Sequence, residues 1–362
     1  MTAQKKKILV VDDSSVMRRI LRDIISRQDD MECIAEACDA LEAREAVKRY
    51  NPDVMTLDVE MPHMDGLTFL EKVMQLRPMP VVMASTLTHK GTEHCIRALE
   101  IGAAACVGKP DAEKEKGGFG RFAEELVLAV REASAIDPAA LCRMAERAAR
   151  RASEAASAKK VAPISVASRE NAARQLLAIG ASTGGVEALS AILPRLPGNL
   201  PPVVVTQHMP PGFTSMFAKR LNSLCALEVK EASHHEKLVP GTVYIAPGAN
   251  QFTVKRNGKG ELCCAIGGNE KISGHCPSVD YLFSGVAEAV GAKAVGVILT
   301  GMGVDGAAGL LKMRSAGANT FGQSAATCVV YGMPKAAMEN GAVCRQASLG
   351  EMPATLAKAC EE

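Results

Sequence analysis

Short apolar runs alternate with helix-spaced segments along most of the chain. From Lys7 to about residue 130, "ILVVDD", "VMTLDV", "PVVMAST" and "ACVGKP" read as strands, with "SVMRRILRDII" and "ALEAREAVKRY" among the intervening helices. Such alternation predicts a parallel sheet covered by helices on both faces. Between residues 135 and 172 the composition shifts to Ala, Ser, Arg, Lys and Glu, with few large apolar positions. That stretch reads as a linker. Within it Asp137 is placed to cap a helix that starts at Pro138 and sets Leu141, Met144, Ala145 and Ala148 at helical spacing.

From residue 173 the α/β alternation resumes. "QLLAIG", "PPVVVTQ" and "AVGVILT" are the expected strands; "GVEALSAILPRL", "FTSMFAKRLNSL" and "AAGLLKMRSAG" are the expected helices. "GTVYIAPG" and "QFTVKRNGKGELCCAI" read as antiparallel strands, the second turning at Asn257-Gly258. The expected architecture is α/β: two doubly wound, mostly parallel-sheet domains, residues 1–134 and 173–362, joined by a partly helical linker over 135–172. The length of 362 residues agrees, since single cores rarely grow past about 250 residues.

Composition narrows the function classes. A formal charge of +2 supplies no strong field for nucleic acid or an anionic membrane. The arginines of the linker are interspersed with acids and lack stacking aromatics, so they read as a solvated face. Twelve cysteines lie scattered without CxxC or zinc-finger spacing, which fits free thiols in a reducing compartment. "MTAQKKKILVVDD" lacks the apolar core of a signal peptide, and "AVGVILTGMGV" is too short and glycine-rich to span a bilayer. A soluble cytoplasmic protein with no direct membrane insertion is expected.

In an open parallel sheet, residues that directly follow the strands converge on one crevice. In the front half these are Asp12 and Asp13, Asp58, Ser85 and Thr86, and Lys109. Three carboxylates at one edge make a hard-oxygen site suited to Mg²⁺, beside which a central Asp can accept a phosphoryl group. A hydroxyl and an ammonium would stabilise its oxygens. The segments "ILVVDDS", "VMTLDVEMPHMDGL", "PVVMAST" and "VGKP" resemble the response-regulator receiver domain, whose fold is flavodoxin-like. The resemblance implies that Asp58 is phosphorylated by a partner histidine kinase and that Asp12, Asp13 and Asp58 hold Mg²⁺. It also implies that Ser85 bonds the phosphoryl group and that Lys109 pairs with it. Cys106 stands where receivers often carry a switching aromatic.

In the back half, Gly180-Ala181-Ser182-Thr183-Gly184 has the G-x-S-x-G form of a nucleophile elbow between a predicted strand and a predicted helix. A serine needs a base and an acid to act as a nucleophile at neutral pH. His208 directly follows "PPVVVTQ", and Asp305 follows "AVGVILT" through a short glycine loop. His234, His235 and His275 lie in polar stretches with no strand ahead, and His63, His89 and His94 belong to the front half. Ser182 as nucleophile, His208 as base and Asp305 as orienting acid form the expected triad, with the Thr183 N–H as oxyanion donor. The order Ser, His, Asp differs from that of α/β-hydrolases. A rival reading takes Gly301 to Gly306 as a G-x-G-x-x-G dinucleotide loop, although no acid occurs between Asp305 and Glu339 to hold a ribose.

The segments "AIGASTGGVEAL", "QHMPPGFTSMFAKRL", "YIAPG", "PSVDYLF", "ILTGMGVDGAAGL" and "VVYGMPKAAMENGAV" together resemble the chemotaxis protein-glutamate methylesterases. The resemblance implies a Rossmann-like domain that hydrolyses glutamate γ-methyl esters on cytoplasmic helices of methyl-accepting chemoreceptors and releases methanol. Deamidation of receptor glutamines is the related second activity. It places Thr183 and Met302 at the site, requires no cofactor for the ester step, and makes phosphorylation of the front domain the activating signal. Gln251 stands where the family often has a histidine, and Val304 where it often has an asparagine. A receiver joined to a non-catalytic binding module is the other alternative.

Overall fold

The computed structural model describes residues 5–86, 89–110, 118–156 and 174–362. Two compact units emerge, Met1–Glu154 and Ala155–Glu362. The first holds five parallel strands, β1 (Lys6–Val11), β2 (Met31–Ala37), β3 (Val54–Asp58), β4 (Val81–Thr86) and β5 (Ala105–Lys109), in the order β2-β1-β3-β4-β5. This is the flavodoxin-like order, with its switch point between β1 and β3. Ile8, Leu9, Val10, Met55, Leu57, Val82 and Met83 are fully buried, because a parallel sheet is covered on both faces and its strands read as continuous apolar runs. The exception is β2, an edge strand of partly exposed, mixed polarity that the apolar-run criterion passed over.

The helix expected in the linker spans Pro138–Ala156, and the Asp137 carboxylate accepts from the Ala139 N–H at 3.1 Å. Most of it falls in the first unit, which runs to Glu154. Ala140, Leu141 and Met144 are buried, and the Met144 methyl lies near the Gly102 backbone. Residues 157–172 of the expected linker lie outside the described residues.

The second unit contains seven parallel strands: β6 (Leu176–Ala181), β7 (Val203–Gln207), β8 (Glu228–Glu231), β9 (Thr242–Ile245), β12 (Ala294–Ile298), β13 (Asn319–Gln323) and β14 (Arg345–Ala347). Their order is β14-β13-β12-β6-β7-β9-β8. The chain leaves β6 toward β7 and later returns on its other side through β12, so the switch point lies at β6. The "GTVYIAPG" segment is therefore parallel, not antiparallel. All four residues of β9 are buried between β7 and β8, and a short apolar run carries no information about strand direction.

The antiparallel hairpin is β10 (Phe252–Arg256) with β11 (Leu262–Ile266). Its left-handed residue is Gly260 (φ +78°), not Asn257 or Gly258. Asn257 N–H donates to the Glu261 carbonyl, and the Asn257 side chain accepts from Lys259 N–H and Glu261 N–H. The connection is thus a longer loop closed by Asn257, with glycine at the left-handed position.

Candidate active site and acidic cluster

In the first unit, the ends of β1, β3 and β5 meet at the switch point. Asp12 and Asp58 are buried, Asp13 is exposed, and one oxygen from each lies within 4.8 Å of the others. Lys109 Nζ sits 2.7 Å from Asp12 Oδ2 and 2.7 Å from Asp58 Oδ2. Burial opposes the lysine charge, yet the two carboxylates outweigh it and raise its pKa. For Asp58 burial is the largest influence and raises the carboxyl above its ordinary range despite Lys109. The other Asp58 oxygen accepts from the Val59 N–H at 2.7 Å. Ser85 is buried one strand away, its Oγ 3.5 Å from the carbonyls of Thr86 and Gly91. Three carboxylates and a lysine thus share one strand-end crevice, a donor set of hard oxygens that fits a divalent cation. Cys106 is buried in β5, and its thiol donates to the Cys95 carbonyl at 3.3 Å.

In the second unit, β6, β7 and β12 deliver Ser182, His208 and Asp305 to the switch point. Ser182 Oγ lies 3.0 Å from His208 Nδ1, and His208 Nε2 lies 2.7 Å from Asp305 Oδ2. With the carboxylate on Nε2, the ring proton resides there and Nδ1 is left to accept from the serine hydroxyl. All three side chains are buried or nearly so.

Asp305 is held by the start of a helix that the periodicity did not disclose, Val279–Ala289. Its Oδ1 accepts from Ser278 Oγ at 2.8 Å and Asp280 N–H at 3.0 Å; its Oδ2 accepts from Val279 N–H at 2.8 Å as well as from His208. Burial works to raise the carboxyl pKa, but bonds from His208 and these backbone donors together lower it. The carboxylate is engaged at both oxygens by the helix start and by His208. The glycine loop over 301–306 therefore serves to place an acid, not to cradle a dinucleotide.

The Ser182 turn differs from a strained elbow. Its left-handed residue is Gly184 (φ +78°), not the serine, and Gly185 opens the helix Gly185–Ile192. Thr183 is buried beside the nucleophile, and its carbonyl accepts from Thr300 Oγ at 3.0 Å. Met302 and Val304 belong to the loop that carries Asp305, with Val304 exposed.

Two residues set aside in the sequence belong to the site. The His275 ring stacks on His208 with centroids 3.7 Å apart and planes 10° from parallel. Burial and the neighbouring His208 lower its pKa to about 4. Gln251 is buried, donates to the carbonyls of Glu270 (2.8 Å) and His275 (3.1 Å), and accepts from Ser278 N–H at 2.9 Å. It thus ties down the loop that brings both His275 and Ser278 to the site. The "GHCPSVD" segment, with Ser278 as helix cap, was the available signal.

Fold and site together define a receiver domain followed by a parallel α/β domain with a Ser-His-Asp relay. Residues 8–115 match the response regulator receiver domain family, and residues 177–356 match the CheB methylesterase family. The chain is 51% identical over 343 residues to a protein-glutamate methylesterase/protein-glutamine glutaminase of Rhizobium etli, covering 95% of this chain and 93% of that one. It is 48% identical over 348 residues to the protein of that name from Escherichia coli, covering 96% and 95%. The crystal structure of the Thermotoga maritima CheB methylesterase catalytic domain matches with a TM-score of 0.50 and 40% identity, over 51% of this chain and 98% of that one. The chain belongs to the protein-glutamate methylesterase/protein-glutamine glutaminase family, a family of hydrolases. Among the described residues no helix is long and apolar enough to cross a membrane.

Proposed function

We propose that this chain hydrolyses glutamate γ-methyl esters on the cytoplasmic helices of methyl-accepting chemoreceptors, and that phosphorylation of Asp58 activates it. The observation that carries this reading is the unbroken line from Ser182 Oγ through His208 to the Asp305 carboxylate at the switch point. Ser182 Oγ attacks the ester carbonyl as His208 Nδ1 takes its proton. Asp305 stabilises the resulting imidazolium, and the Thr183 N–H meets the oxyanion, with Met302 lining the site. The C–O bond to the methoxy group then breaks, and methanol leaves with the proton from His208. A water, deprotonated by His208, cleaves the acyl-serine to give the free glutamate carboxylate and restore Ser182. A receptor glutamine follows the same route with ammonia leaving, which is the glutaminase half of the family's name.

For the receiver, the donor set fits Mg²⁺ held by Asp12, Asp13 and Asp58, which when bound would neutralise negative charge as Asp58 attacks the phosphoryl group of a phosphohistidine. Lys109 then pairs with the phosphoryl oxygens and Ser85 donates its hydroxyl to them. The helix Pro138–Ala156 counts with the receiver in this reading, and the catalytic domain begins at residue 173.

The test is methanol release from methylated receptor cytoplasmic fragments by wild type and Ser182→Ala, each with Mg²⁺ and a small phosphodonor. Release stimulated by the phosphodonor and lost in Ser182→Ala is the expected result. No release from a panel of receptors would leave a receiver coupled to a binding module or to an esterase of other substrates.

A further inference from the structure

Between Ser182 and His208 lies a side chain to which the relay itself assigns no role. Gln207, the last residue of β7, is buried, and its Nε2 donates to the Ser182 carbonyl and to the His208 carbonyl, at 3.0 Å each. The amide orientation follows from chemistry, since the reversed amide would aim its oxygen at two carbonyl oxygens. In the observed orientation Oε1 is buried and makes no hydrogen bond among the described residues. An unpaired buried amide oxygen is a cost that a methionine or leucine would avoid. Gly185 makes room for it: a Cβ there would lie 2.0 Å from Oε1.

The Ser182 carbonyl belongs to the same planar peptide unit as the Thr183 N–H. That carbonyl also accepts from Gly185 N–H at 2.7 Å, so two donors at one end fix the direction of the N–H at the other. Hydrogen bonds accepted by a peptide oxygen also polarise its N–H. The second bond from the same nitrogen ties this peptide to the backbone of the base.

The geometry points to Gln207 as a positioning residue that aims and polarises the Thr183 N–H and sets the spacing of Ser182 and His208. This inference rests on the esterase reading above. Gln207 touches no reacting atom and acts through Thr183 and His208.

The experiment compares full-length wild type, Gln207→Met, Gln207→Glu and, as the inactive reference, Ser182→Ala in phosphodonor-stimulated methanol release, with kcat and KM resolved and melting temperatures recorded. Methionine keeps the bulk but donates nothing, and should lower kcat at least about fivefold with KM unchanged. A buried glutamate beside carbonyls stays largely protonated and can donate one bond, so Gln207→Glu should lie between methionine and wild type. Its kcat should gain relative to Gln207→Met as pH falls, a signature that a packing role would not produce. If wild type releases methanol and both variants match it within twofold, the proposal is overturned while the esterase reading stands. If both variants fall together irrespective of pH and in step with their melting temperatures, Gln207 is only a packing residue and the proposal is likewise overturned. If wild type releases no more methanol than Ser182→Ala, both readings fail together.

Discussion

The rings of His208 and His275 lie face to face at 3.7 Å, so the proposed base works against a second imidazole. Two stacked imidazolium ions would repel, and the charged groups facing His275 are His208, Asp305 and Lys271. Burial and His208 move its pKa from an ordinary 6.5 to about 4. Between those values the unfolded chain binds the proton and the folded chain does not, so acidification favours unfolding. The contribution is fully present above about pH 6.5 and is lost by about pH 4. His275→Phe keeps a ring on His208 but cannot titrate. Its melting temperature should fall less steeply than that of wild type across this window, and equal slopes would remove His275 from the account.

Asp305→Asn should cost both turnover and stability. The carboxylate accepts from Ser278, Val279, Asp280 and His208, and an amide NH₂ in place of either oxygen would face a backbone N–H donor. The asparagine also favours the wrong tautomer of His208, so kcat should fall about 10³-fold or more with a lowered melting temperature. A variant that kept kcat within tenfold of wild type would dissociate Asp305 from the relay.

The strand-end residues were legible because each stands directly after an apolar run. Asp12, Asp58, Ser182 and His208 need only the rule that loops leaving a parallel sheet on one side converge, and Asp305 needs one glycine loop more. His275 and Ser278 were not legible. They sit in a polar segment without period, and contacts with residues distant in sequence, Gln251, Asp305 and His208, hold them at the site. The direction of β9 was hidden for a different reason, since "TVYI" is buried on both faces and so shows no alternation. In the linker, the helical spacing of Leu141 and Met144 was legible, but that their burial joins most of the helix to the first unit was not, because spacing alone does not name the surface a helix packs on.

Mg²⁺ should stabilise the receiver measurably. Asp12, Asp13 and Asp58 gather three carboxylates within 4.8 Å, and Lys109 pairs with Asp12 and Asp58. A divalent ion bound only to the folded state adds about 2.7 kcal/mol at a hundredfold excess over its Kd. Calorimetry should show the first unit's transition rising with Mg²⁺ and returning with chelator. Asp13→Asn is the clean control, because Asp13 is exposed and its loss should leave the metal-free transition near its wild-type value. A rise that persists in Asp13→Asn would move the cation elsewhere.

Gly184 carries two separate constraints, and substitution can divide them. Its φ of +78° disfavours any side chain, and an added Cβ would lie 2.6 Å from both Cβ and Cγ2 of Val329. Gly212 shares the left-handed backbone, at φ +86°, with nothing within 4 Å of an added Cβ. Gly212→Ala should therefore lose only the conformational term, about 1–2 kcal/mol. Gly184→Ala adds overlap in a packed wall, about 1–3 kcal/mol more, and displaces the turn that holds Ser182, so turnover should fall with stability. Val329→Ala should return part of the Gly184→Ala loss in a double-mutant cycle, whereas it should do nothing for Gly212→Ala. Equal losses for the two glycines would mean that the Val329 wall yields freely, and that backbone conformation alone selects glycine beside the nucleophile.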